Sequence, residues 1–491
     1  MWFEQIEALE WVSVLKELWP GLVATWGFIF ALLASVHAIL NKRDTRAAVG
    51  WVGLIYLAPF VGVILYLLLG INRIKRRAEA LQRKRFEPGD ELSLPEPELY
   101  DAVGPDGHHL HSLALLTRRV VHRKLEAHNQ VRVLHNGDEA YPLMLDAIKS
   151  AQKSVHLSTY IFDNDPVGKA FAQALGDAKK RGVTVRVLVD AVGLRYSWPW
   201  PITGELKKYG IKAAKFLPTR FPWRMPYTNL RNHRKILLVD GRIGFTGGMN
   251  IREGHELNRH SKHPVRDLHF LYEGPVVCHL QEAFAEDWNF SSPDKLSRED
   301  CEADPSPMGK VICRGIKDGP DEDLDKLRWA YYGAIDCAQS YIKIVTPYFL
   351  PDQTLIMALN SAALRGVEVD IVLPEKNNLR LVQWASQSLY DDILVHGCRI
   401  WLNPPPFDHS KLMVVDGAWS LVGSGNWDPR SLRLNFEFNI ENYSTELAEE
   451  LNQDIEMKIK DSKQLSLDGF RKRSFFARLR DGTIRLLTPY L

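Results

Sequence analysis

Net charge is nearly absent from this chain. Its 62 lysines and arginines offset 60 aspartates and glutamates, leaving a formal +2 over 491 residues. That balance removes any bulk electrostatic case for a nucleic-acid partner, which would need a basic excess. Cysteine is scarce, odd in number and scattered, at Cys278, Cys301, Cys313, Cys337 and Cys398. Without C-x-x-C spacing these imply neither a disulfide framework nor a zinc site, which suits a reducing compartment. His108, His109 and His111 cluster together, but no cysteine or acidic ligand spacing accompanies them, so no metal is expected. A cleavable signal peptide is also a poor fit, because the start is acidic at Glu4, Glu7 and Glu10 and lacks a small-residue cleavage site.

What is present is a signature, H-x-K-x4-D, that occurs twice with the same downstream spacing. NHRKILLVDGRIGFTGGMN supplies His233, Lys235, Asp240, Gly247, Gly248 and Asn250. DHSKLMVVDGAWSLVGSGN supplies His409, Lys411, Asp416, Gly423, Ser424 and Asn426. A single H-x-K would be an ordinary surface pair, but two copies sharing every offset mark a duplicated half-site. Each copy is an apolar run, then Asp-Gly, then a second β-prone run, which predicts a hairpin. Strand alternation puts His233 with Lys235, and His409 with Lys411, on one face. Asp240 and Asp416 fall in the turn, where they are positional. With Asp-Gly as the two turn residues, 233 pairs with 248, 235 with 246, and His409 faces Ser424. Gly248 and Ser424 then leave room for a substrate group, and Asn250 and Asn426 offer amide donors beside it. An imidazole, an ammonium and an amide around a small-residue floor suit a tetrahedral oxyanion, most simply phosphate. Two lysines and two amides match the phosphate charge, so no divalent ion is expected.

Both copies match the HKD motif, and the chain resembles the phospholipase D superfamily. RDLHFLYEGPVVCHLQEAFAEDW and DPRSLRLNFEFNI resemble segments that, in bacterial cardiolipin synthases, carry an acidic partner for each catalytic histidine. The resemblance assigns those partners to Asp267 and Glu437, which would fix the imidazole tautomer and stabilise an imidazolium. It also implies a phosphohistidine mechanism in which His233 is the nucleophile and His409 the acid and base.

The rest of the chain repeats as well. AIKSAQKSVHLSTYIF (147–162) is echoed by AIDCAQSYIKIVTPYF (334–349), and KKRGVTVRVLVD (179–190) by ALRGVEVDIVLP (363–374). Each repeat reads helix, strand, helix with a glycine C-cap, strand, then the hairpin. The expected fold is therefore α/β, with two phospholipase D-like α/β/α repeats related by a pseudo-two-fold and preceded by two transmembrane helices. The expected divisions are a membrane anchor at 1–72, a basic linker acting as a spacer at 73–129, repeats at 130–300 and 301–465, and a basic amphipathic segment at 466–491.

Spans are expected at about 20–40 and 47–71, each close to a bilayer's thickness in length. The basic cluster Arg73, Lys75, Arg76, Arg77, Arg83, Lys84 and Arg85 outweighs Lys42, Arg43 and Arg46 between the spans. The positive-inside rule then places the catalytic region on the cytoplasmic side of a multi-pass inner-membrane protein. Two further stretches look lipid-facing. Trp198, Trp200, Phe221, Trp223 and Tyr227 interleave with Arg220, Arg224 and Arg231, and FRKRSFFARLRDGTIRLLTPYL mixes basic residues with Phe and Leu. The function expected is a cardiolipin synthase that joins two phosphatidylglycerol molecules, with phosphatidylethanolamine kept as an alternative lipid. A hydrolytic phospholipase D with water as acceptor is the rival, and an HKD nuclease is disfavoured by the spans and the neutral charge.

Overall fold

The structure, a computed structural model, describes residues 2–42, 45–70, 96–218, 230–297 and 306–488. It divides into two compact units, 1–80 and 81–491. In the first, one long helix, Trp2–Asn41, contains Leu18–Asn41, which among the described residues is the one helix long and apolar enough to cross a membrane. The stretch expected to form a second continuous helix is instead divided into Thr45–Leu57, Pro59–Leu65 and a π-helical turn, Tyr66–Gly70. Pro59 has no N–H and its ring clashes with the preceding turn, so the helix stops at Ala58 and restarts with proline in its first turn. The pieces fold back on the long helix, where His37 Nδ1 lies 2.7 Å from the Tyr66 hydroxyl and Ala31, Ala34, Ala38, Ile55 and Val63 form a small core.

The second unit is built from two copies of one plan. In the first copy, helices Asn136–Ser150 and Pro166–Lys180 alternate with parallel strands Ser154–Thr159 and Thr184–Asp190. In the second, helices Lys326–Cys337 and Gln353–Leu364 alternate with Tyr341–Val345 and Glu368–Pro374. Matching devices bound the second helix of each copy. Asp165 and Asp352 cap its start through their carboxylates, and Gly182 and Gly366, at φ 92° and 94°, turn the chain after it.

The strands of the two repeats follow one continuous path. Glu126–His135 and Val311–Asp318 meet antiparallel at the seam, and the strand order runs outward from it in mirrored sequence. Three cores result. One lies on the outer face of each half, and the third is shared by residues of both halves around helices Val277–Ser291 and Thr445–Asp461.

Residues 96–125 were expected to be spacer, yet they belong to the catalytic unit. Leu110, Leu113, Ala114, Thr117 and Val121 recur at helical spacing and are buried, so helix His111–Val121 packs into the second repeat's core. The histidine cluster lies here too. His109 Nε2 hydrogen-bonds Asp416 at 2.6 Å, while His108 and His111 pack on the Tyr100 ring.

Candidate active site

Each motif histidine follows a two-residue strand that crosses to the other repeat. Arg231–Asn232 pairs parallel with Asn435–Phe436 of the second repeat, and the His233 N–H donates to the Phe436 carbonyl at 2.9 Å. Phe407–Asp408 pairs parallel with Val265–Arg266 of the first, and the His409 N–H donates to the Arg266 carbonyl at 2.8 Å. The residue before each histidine folds its side chain over the turn, Asn232 Oδ1 accepting from the Arg234 N–H and Asp408 Oδ1 from the Ser410 N–H. The first segment is further held by buried ions: Asp190 accepts from Arg231 and from the Asn232 N–H, and Asp287 accepts from Asn232 and Arg234.

The carboxylate partners are exchanged between repeats. His233 Nδ1 lies 3.0 Å from both oxygens of Glu437, and His409 Nδ1 lies 2.9 Å from Asp267 Oδ2. With Nδ1–H committed to a carboxylate, each imidazole keeps the Nε2 lone pair for chemistry. Lys235 and Lys411 each donate to the carbonyl of their own histidine, which sets them in the same cleft.

Glu437 is the more heavily wired carboxylate. It accepts from Ser424 Oγ at 2.5 Å, Ser431 Oγ at 2.9 Å and Asn435 Nδ2 at 3.1 Å. Burial alone would raise it, but the His233 charge and hydrogen bond, Lys235 and Ser424 together hold it below its ordinary value. Asp267 has one backbone donor, the Leu268 N–H, and burial pushes it up to about 6 against the pull of Lys411. Burial also lowers His233 to about 4, in spite of Glu437, and takes His409 well below its usual value. The same desolvation brings Lys235 down to about 7 and Lys411 to about 8.

Two expectations about the hairpins need correction. Asp240 and Gly241 are both left-handed, at φ 54° and 68°, and the Arg242 N–H closes the turn on Val239. Pairing resumes only at Ile243, opposite Val239, so the register is one residue off that expected, and Val415 opposite Trp419 repeats the pattern. The small-residue floor is also occupied. A Cβ on Gly248 would collide with the Asp267 carboxylate, and the Ser424 hydroxyl is spent on Glu437 and Phe438. The bare backbone of Gly248 thus accommodates the Asp267 carboxylate, and Ser424 donates to Glu437. The Asn250 side-chain oxygen accepts from the Ile161 N–H, which leaves its NH2 uncommitted, whereas Asn426 Nδ2 donates to Ser431.

Asp240 and Asp416 stand outside the cleft. Asp240 accepts from the N–H groups of Gln152, Lys153 and Ser154, and Asp416 from those of Gln339, Ser340 and Tyr341. Each pins the start of the neighbouring strand. Asp240→Ala is expected to cost roughly 2–4 kcal/mol of stability, since three N–H groups lose a charged acceptor. A lowered urea midpoint, with turnover per folded molecule close to that of the parent, would bear this out.

Two tyrosines escaped the sequence reading. The Tyr160 ring meets His233 edge-on at 5.2 Å, and Tyr348 meets His409 the same way at 6.3 Å. The signal was available, since both occupy the same place in the echoed segments STYIF and TPYFL. Away from the cleft, Glu126, Cys278 and His279 bring ligand-type atoms within 4.8 Å of one another. There His279 Nδ1 accepts from the Gly315 N–H, so its proton sits on Nε2 facing Glu126, and burial pushes the Cys278 thiol up to about 12. The His279 Nε2–Glu126 Oε1 distance is 3.5 Å.

Two interlocked HKD half-sites on this fold define a phospholipase D-type phosphodiester enzyme. The family model described as cardiolipin synthase, phospholipase D-like domain, matches twice, at 144–288 and 331–459, and a phospholipase D-nuclease N-terminal model matches 29–70. The chain is 31% identical over 494 residues to a cardiolipin synthase of Geobacillus kaustophilus, covering 98% of this chain and 95% of that one. It is 33% identical over 473 residues to cardiolipin synthase 2 of Bacillus anthracis, covering 94% and 90%. Among solved structures, the phosphatidylserine synthase of Haemophilus influenzae superposes with a TM-score of 0.60 at 13% identity, covering 77% of this chain and all of that one, which speaks to the fold. The chain belongs to the bacterial cardiolipin synthases of the phospholipase D superfamily.

Proposed function

We propose that this phosphatidyltransferase joins two phosphatidylglycerol molecules, giving cardiolipin and glycerol. The observation that carries the reading is the interlocked cleft, in which each imidazole is backed by a carboxylate from the opposite repeat. Neither half is complete alone. In the first step His233 Nε2 attacks phosphorus, the bond to the glycerol headgroup breaks, and His409 gives its proton to the departing oxygen. In the second, a hydroxyl of another phosphatidylglycerol attacks the phosphohistidine and returns its proton to His409. Lys235, Lys411 and the Asn250 NH2 hold the phosphoryl oxygens. An unliganded cleft that lowers both imidazoles needs the anionic phosphodiester to draw a proton onto His409, so substrate binding itself arms the acid. We further place the protein in the inner membrane as a two-span anchor, the divided 45–70 segment forming the second span, with the catalytic unit cytoplasmic.

The deciding experiment incubates the detergent-purified full-length protein with labelled phosphatidylglycerol. Cardiolipin plus glycerol supports the proposal; phosphatidic acid plus glycerol replaces it with hydrolysis. Adding phosphatidylethanolamine as a second lipid tests the alternative donor or acceptor. Because two lysines and an amide supply the positive side of the site, activity is expected to persist in excess chelator, and loss restored only by one added metal would refute that.

The lysines also set a pH limb. Lys235 and Lys411, lowered by burial to about 7 and 8, lose their protons as pH rises through that window. The anionic substrate binds the protonated forms, so kcat/KM should fall by about tenfold per pH unit for each proton lost above it. Bound phosphate raises both lysines again, so kcat at saturation should fall later than kcat/KM. A flat kcat/KM between pH 7 and 9 would argue against this.

A further inference from the structure

The cleft is rimmed on both sides by exposed apolar residues on backbone that is firmly held. On the first side, Tyr160 beside His233 leads to the Tyr196 ring at 6.5 Å, and then to Trp198 and Trp200, which are 78% and 76% exposed. This lip is braced from beneath: Asn164 donates to the Trp200 carbonyl at 3.0 Å, and Ser197 donates to Asp163 at 2.8 Å. Two indoles held out by an anchored backbone forgo about the burial that a large apolar side chain normally finds. On the second side, Tyr348 beside His409 donates to Asn378 at 2.9 Å, and Asn377 ties the same loop to the Pro347 carbonyl at 2.7 Å. The next residues, Leu379 and Leu381, are exposed. The positions correspond, each lip following the second strand of its repeat.

The second lip continues into helix Arg380–Gln387, on which the C-terminal helix Phe475–Arg485 is docked. Arg480 stacks over the Trp384 ring at 4.4 Å, and Arg473 donates to Gln387 at 3.1 Å. Docked this way, the C-terminal helix leaves Phe475 and Phe476 64% and 78% exposed. Cations outnumber acids around these residues, with Glu375 an exposed acid just before the second lip. Residues 193–200 and 376–381 contain Arg195, Lys376 and Arg380 and no acid, and Asp481 of the C-terminal helix is buried in pairs with Arg473 and Arg480. Arg478 and Arg485 of the same helix are exposed.

We propose that this rim is a docking face for an anionic lipid bilayer, seating the mouth of the cleft against the headgroup layer so that phosphodiesters enter without leaving the membrane. Aromatic rings with interleaved cations are the chemistry of the headgroup boundary, the rings entering the interface and the cations meeting lipid phosphates. The proposal rests on the lipid-substrate reading above and adds how the lipid is presented.

The test uses the full-length chain with two substrates. One is phosphatidylglycerol in vesicles with phosphatidylcholine, and the other is dihexanoyl phosphatidylglycerol dispersed as monomers. The double variant Trp198→Ser/Trp200→Ser should raise the apparent KM for vesicle lipid at least tenfold and leave kcat/KM for the monomer unchanged. Trp198→Phe/Trp200→Phe should keep most of the vesicle activity, because the interfacial aromatic surface is retained. Leu379→Ser/Leu381→Ser, on the opposite lip, should show the same vesicle-specific loss. Equal loss on both substrates, or loss on neither, overturns the docking face. A parent protein that makes no cardiolipin from either substrate overturns the lipid reaction itself, which separates the two failures.

Discussion

His233→Ala is expected to abolish covalent labelling by a phosphatidyl donor and to lower turnover by at least about 10³-fold, because it removes the attacking atom itself. His409→Ala should be comparably inert on phosphatidylglycerol, yet it should still be labelled by a nitrophenyl phosphodiester, whose leaving group departs without a proton. The asymmetry of the two carboxylates supports this division of labour. Glu437 receives three side-chain donors besides His233 and stays ionised, so it is a fixed negative charge suited to an imidazole that becomes positively charged on bonding phosphorus. Asp267 sits near 6 with one backbone donor, close enough to neutral pH to follow the protonation of His409. Mass spectrometry of the acid-quenched protein locates the label. Finding it on His409 would reverse the roles and leave the fold and reaction class in place.

The features legible in the sequence are those carried by local spacing. Two HKD copies with identical offsets, and two echoed helix-strand pairs, were enough to anticipate the duplicated α/β plan and the pairing of histidine with lysine. The register slip was not legible, because a turn of Asp-Gly has the same sequence whether pairing resumes at Arg242 or at Ile243. The role of Gly248 was misread for a related reason: a missing side chain makes room, but spacing does not say for what. Asp267 fills that room from across a strand. The helices between 96 and 121 were overlooked although Leu110, Leu113, Ala114, Thr117 and Val121 carry a clear helical period. The polar, proline-rich start of that region masked it. Least legible was the exchange of carboxylates, which joins positions 204 and 142 residues apart through the seam and the two crossing strands.

That exchange yields the sharpest expectation from the geometry. Asp267 follows the first motif in sequence, so a reading by proximity would have Asp267→Asn cripple His233. The structure pairs it with His409 instead, and Glu437 with His233. Glu437→Gln should therefore slow formation of the phosphohistidine by roughly 10²–10⁴-fold, as loss of an orienting carboxylate does elsewhere. A nitrophenyl donor should not relieve it, because the defect lies in the nucleophile: the neutral amide no longer fixes the Nδ1–H tautomer or balances the charge that develops on the ring. Asp267→Asn should slow turnover of phosphatidylglycerol by a similar factor, while labelling by the nitrophenyl donor stays near that of the parent protein. It should also flatten the pH dependence near 6, the range in which Asp267 titrates. Single-turnover labelling of both variants with both donors gives four rates, and their pattern decides the pairing. If Asp267→Asn were the variant that fails with the nitrophenyl donor, each histidine would depend on the carboxylate of its own repeat, and the crossed cleft would be wrong.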